Sequence, residues 1–109
     1  MLWMCNFDSV GHFTAQESVQ VAGTEGFRHR VIRALRAYAI PVRRTNAAAG
    51  DGGMFQRNDV PTINFIHDAW NQVQIHSRGD TIDRLAPGRL ARVCKTAAGM
   101  TERLLSGRL

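Results

Sequence analysis

The side chains placed to act as metal ligands are Asp8, Asp51, Asp80, His12, His29, His67 and His76. Zinc takes nitrogen, sulfur or carboxylate donors, usually three from the protein at a catalytic site, each oriented by a further hydrogen-bonding partner. Asp8 closes an apolar run, and in α/β sheets the carboxyl ends of strands are where ligands bind. The structural alternative is a strand-end aspartate capping a turn. His76 follows the short apolar stretch "VQI", with Asp80 and Thr81 close enough to orient its loop. By type alone it is equally an ordinary loop histidine. His29 falls within a basic helix and is expected to face solvent, while His12 and His67 are read as loop residues without a partner.

Other chemistries are poorly supported. The two cysteines, Cys5 and Cys94, form no CxxC pair and no dense framework, which excludes a structural zinc module or disulfide scaffold of the usual spacing and points to a reducing environment. There is no GxSxG, P-loop, HExxH or dinucleotide glycine fingerprint, and "GDGG" is too short to signal phosphate binding.

With 109 residues the chain is at most one small domain, and 44% hydrophobic content argues for a folded one. Fourteen Lys and Arg, thirteen of them arginine, face nine Asp and Glu, a net charge of +5. That charge permits contact with nucleic acid or an anionic surface without requiring it. The pattern disfavours nucleic-acid binding, because the aromatics fall mostly on apolar faces rather than among the arginines. No stretch approaches the ~20 apolar residues of a membrane span. The start, "MLWMCNF", lacks the basic region and cleavage site of a signal peptide.

The elements that would position these ligands can be read from periodicity. Met1–Phe7 is a continuous apolar run, expected as a strand buried on both faces and so in need of neighbours on both sides. Glu17–Ala22 alternates as a half-buried strand, and Gly23 closes it. Thr24 and Glu25 open a helix whose apolar face is Phe27, Val31, Ile32, Leu35, Tyr38 and Ala39, with Arg30, Arg33 and Arg36 opposite. Pro41 ends it, and "PVRR" suggests a short strand. Thr45–Gly53 is expected to be a loop, and Val60–Ile66 a buried strand with Pro61 confined to its beginning. Pro87 starts a last helix with an apolar arc of Leu90, Val93, Cys94, Ala97, Leu104 and Leu105. Gly99 falls on its polar side and should weaken it slightly. Alternating strands and amphipathic helices predict an α/β layer architecture, both helices covering the same sheet.

Four blocks, in order along nearly the whole chain, resemble the carboxyl-terminal half of the co-catalytic zinc aminopeptidases and carboxypeptidases, family twenty-eight of the metallopeptidases. "CNFDSVG" resembles the family's Asn-x-Asp-Met-x-Gly strand, which would make Asp8 a zinc ligand, with Ser9 in place of methionine. "GDGGMFQRNDVP" is similar to the Ser-Asp-His-x-x-Phe block followed by Gly-Ile-Pro, with Asp51, Phe55, Val60 and Pro61 in register and Gly50, Gly52 and Asp59 departing from it. "IHSRGDTIDRL" resembles His-Thr-Pro-x-Asp-Thr-x-Asp-x-Leu, which would make His76 the last zinc ligand and Asp80 and Thr81 the supports of its loop; Ile75 stands where many members carry a tyrosine. "APGRLARV" is similar to the following helix start, with Ala86 where the family has an aspartate cap.

The resemblance implies a mixed, mostly parallel sheet flanked by helices, two zinc ions sharing a water, and a peptide substrate cleaved at its end by that metal-activated water. It also implies that a His-x-Asp element, a separate aspartate and a Glu-Glu pair lie in segments preceding the strand that ends at Asp8. The 109 residues would then be an incomplete domain, requiring an amino-terminal half or a homo-oligomer, and without hydrolytic activity alone. The alternatives are a non-catalytic remnant serving as an interaction module and, less favoured, an arginine-rich nucleic-acid-binding domain.

Overall fold

A computed structural model describes residues 2–11, 17–43, 50–67, 77–78 and 81–108. They form a mixed four-stranded sheet with three helices: β1 (Met4–Asp8), β2 (Glu17–Ala22), α1 (Glu25–Leu35), β3 (Val42–Arg43), α2 (Gly50–Arg57), β4 (Thr62–His67) and α3 (Pro87–Leu105). The strand order is β1-β4-β2-β3. β1 runs parallel to β4 and β2 parallel to β3, while β2 and β4 are antiparallel, so two of the three junctions are parallel.

The register assigns every strand residue to a face, because directly paired residues project to the same side of a sheet. Cys5, Phe7, Val19, Val21, Ile63 and Phe65 fall on one face by their pairing. That face is buried under α1 and α3: Phe27, Val31, Ala34 and Leu35 of α1 and Val93, Ala97 and Met100 of α3 join its valines, Ile63 and Phe65 in one core. Phe65 and Leu35 are fully buried, each stabilising the fold by about 1.5–3 kcal/mol relative to exposure.

α1 begins where Thr24 and Glu25 place it. The Thr24 hydroxyl accepts the Phe27 N–H at 3.2 Å, and Glu25 lies in the first turn, where a negative charge complements the helix dipole. The helix tightens into a 3-10 turn over Arg36–Tyr38 and stops at Ala39, whose φ of 54° is left-handed. Ala39 is therefore exposed rather than part of the apolar face.

The opposite face of the sheet is polar. Asn6 donates to Asn64 Oδ1 at 2.7 Å, and Asn64 donates to Gln20 Oε1 at 3.3 Å, an amide ladder crossing β1, β4 and β2. Asn64 and Gln20 are buried, and α2 packs on this side. A Cβ added at Gly52 would lie 3.3 Å from the Asn64 amide carbon, so the helix backbone rests on the ladder. The expected loop over Gly50–Gly53 is thus the first turn of a helix, in which missing side chains permit close approach.

Three further expectations change. β1 begins at Met4 and is an edge strand, half-exposed, with Phe7 at 49% exposure stacked on Phe65 at 5.2 Å. β2 is buried on both faces rather than one. The buried residues of α3 are Val93, Thr96, Ala97 and Met100, while Cys94 and Leu105 are exposed. Thr96 tolerates burial because its hydroxyl donates to the Arg92 carbonyl at 2.8 Å. No described helix is long and apolar enough to cross a membrane.

Candidate functional site

Asp8 ends β1, and the chain turns at Ser9, whose φ of 57° is left-handed. The Ser9 hydroxyl donates to Asp8 Oδ1 at 3.0 Å. The turn is held from two sides. Gly11 donates its N–H to the Glu17 carboxylate at 3.1 Å, and its carbonyl accepts the Ala86 N–H at 2.8 Å. Glu17 is buried and lies 3.7 Å from the Arg89 guanidinium of α3. Gly11 itself has φ 93° and lies against the Leu90 side chain where a Cβ would be, so no other residue fits there without displacement. β2, α3 and the turn after Asp8 are thereby fixed to one another.

Asp8 also meets the start of α2. A Cβ at Gly50 would lie 3.4 Å from Asp8 Oδ2, and Gly50 has φ 63°. Asp51 is the next residue, exposed in the first turn of α2. The structure therefore brings the segments of Asp8 and Asp51 to one end of the sheet. Asp51 has an independent structural role there, since an acidic side chain in the first helical turn is stabilising.

Thr81 is exposed and precedes a 3-10 turn over Ile82–Arg84, its carbonyl accepting the Arg84 N–H at 3.0 Å. Its hydroxyl donates to the Asp83 carboxylate. That bond, with the backbone N–H of Asp83 and the charge of Arg84, holds the Asp83 carboxyl below its usual range. His76 and Asp80, expected as the other ligand and as a support of its loop, lie outside the described residues, as does His12. His67 is the last residue of β4 rather than a loop residue. His29 is exposed on α1, as expected.

Among the described residues no three His, Cys, Asp or Glu side chains converge on a point that could hold a metal. Asp8 supplies one exposed carboxylate, and one donor does not fit a zinc site. Cys5, on the apolar face, has its thiol pushed up to about 11 by burial, which disfavours the thiolate a metal would need.

Two features were missed in the sequence. Glu17 reads only as the first residue of a strand, and nothing local marks it as the partner of Arg89. Arg28 stands outside the regular Arg30, Arg33 and Arg36 series. Its spacing from Glu25, Ile32 and Arg36, at three, four and eight residues, was the available signal that these side chains share one side of a helix. No protein-family model, curated protein or solved structure matches this chain.

Proposed function

We propose that this chain is the carboxyl-terminal part of a co-catalytic zinc exopeptidase, contributing Asp8 and His76 as metal ligands, one to each of two zinc ions. Zinc ions held in part by Asp8 and His76 would supply an activated water for hydrolysis of a terminal peptide bond in the complete enzyme. The observation that supports the reading is the placement of Asp8: it ends an edge strand, and the segment carrying Asp51 begins against it. These are the first two blocks of the resemblance, separated by more than forty residues in sequence.

The chain's own contribution is positional. The clamp of Glu17, Gly11 and Arg89 fixes the turn that follows Asp8, and Thr81 orders the 3-10 turn over Ile82–Arg84. No Glu-Glu pair or His-x-Asp element occurs in the 109 residues, and one protein ligand per ion does not make a tight site. The chain by itself is therefore expected to hydrolyse no peptide.

The test is the genetic sequence upstream of Met1. An in-frame extension encoding His-x-Asp and Glu-Glu supports the reading. Non-coding sequence with its own promoter overturns it.

A further inference from the structure

α1 and β3 border a groove of about 840 Å³ beside the core, lined by Glu25, Arg28, His29, Ile32, Arg36, Ile40 and Val42. Its volume lies in the range of small-molecule sites, ≈ 300–1,000 Å³. The lining is of two kinds. Ile32 and Val42 are partly buried and Ile40 is buried at 6% exposure, providing an apolar floor. The charged lining carries two guanidiniums, Arg28 and Arg36, and one carboxylate, Glu25. The Arg28 Nε is buried with no hydrogen-bond partner among the described residues. Buried donors are ordinarily satisfied, so an orphan at a polar wall calls for an acceptor. A guanidinium presents its N–H groups in a fixed fork that matches the oxygens of a phosphate, and it does so without losing its charge.

We propose that this groove binds a small organic phosphate, its oxyanion held by Arg28 and Arg36 and its apolar body lying on Ile32, Ile40 and Val42. The site lies between α1 and the β3 edge of the sheet, the edge opposite β1 and Asp8, and does not depend on the exopeptidase reading. Two arginines without an apolar floor would suit free phosphate; the floor selects a phosphate ester with a hydrophobic group. Glu25, one helical turn before Arg28, disfavours a ligand with a second anionic group there.

The experiment is a titration of the full 109-residue chain, ¹⁵N-labelled, with 1-naphthyl phosphate, following the arginine Nε–H resonances. The Arg28 and Arg36 signals are expected to shift saturably, while Arg103 on α3 stays fixed. Arg36→Gln, at an exposed position, and Arg28→Gln should each weaken binding about tenfold or more, as loss of a charge-assisted bond does. Neutral 1-naphthol should give no saturable shift at Arg28. Inorganic phosphate binding as tightly as the naphthyl ester would overturn the proposal, as would an unaltered affinity in Arg36→Gln. A short single-stranded DNA that binds more tightly than the ester, with a steep salt dependence, would also overturn it by making the groove part of a nucleic-acid surface. Should Arg28→Gln fail to fold, the Arg36→Gln titration and the Arg28 resonance in the parent chain decide alone.

Discussion

The ring of Tyr38 lies over the backbone of Gly99, with its hydroxyl where a Cβ at that position would have to sit. The two residues join the end of the α1 segment to the middle of α3. Helix propensity alone favours Gly99→Ala by about 1 kcal/mol. The overlap with a partly buried ring opposes this by about 1–3 kcal/mol, so the substitution should destabilise the chain. In a Tyr38→Ala background the same change should become neutral or stabilising. Urea unfolding of the four proteins in the cycle measures the coupling, and additivity would show that the contact is of no consequence.

Asn64 is fully buried and both donates and accepts within the amide ladder. Asn64→Ala would remove the acceptor of the Asn6 amide and one donor to Gln20, and leave a space beneath α2. The expected loss is about 2–4 kcal/mol, since each buried group left unsatisfied costs about 1–3 kcal/mol. Gly52→Leu, which drives a side chain into the same ladder, should be destabilising as well. Chemical denaturation with far-UV circular dichroism checks both, and a stable Gly52→Leu protein would mean that α2 does not lie on the sheet in solution.

The elements that were legible in the sequence are those whose signals are local. Thr24 before Glu25 marks a helix start because the cap bond spans three residues, and Pro61 before Thr62 marks a strand head because proline lacks a ladder donor. What was not legible depends on distant partners. Gly50–Gly53 looks like a loop until Asn64 and Asp8 supply a surface that only a helix of glycines can approach. Gly99 looks like a surface defect until Tyr38 lies over it. β1 looks buried on both faces from its composition, but strand order, which sequence pattern does not encode, puts it at an edge. At the candidate site, Asp8 was found by its position after an apolar run, whereas the Glu17–Arg89 clamp joins residues seventy-two positions apart and leaves no local pattern.

Arg89→Met should loosen the turn that follows Asp8. The substitution keeps an apolar stem but leaves the buried Glu17 carboxylate with the Gly11 N–H as its remaining clamp bond. A destabilisation of about 1–3 kcal/mol is expected from the uncompensated buried acceptor. Amide exchange at Gly11 should accelerate beyond the change in global stability. Exchange that only tracks global stability would show that the ion pair does not hold this turn.

The two cysteines should separate cleanly by reactivity. Cys94 is exposed and Cys5 half-buried on the apolar face of β1. Burial disfavours the Cys5 thiolate and raises its pKa from 9.0 to about 11, and the thiolate is the reactive form. Iodoacetamide at pH 8 should therefore label Cys94 well before Cys5, by mass spectrometry of the peptides. The raised folded-state value also fixes the sign of the pH dependence. The unfolded chain releases the Cys5 proton more readily, so the contribution of the buried thiol is intact below about pH 9 and declines as the pH rises toward 11. Cys5→Ala should lessen the alkaline loss of stability over that interval, and identical alkaline profiles for the two proteins would show that Cys5 is not held in the apolar face.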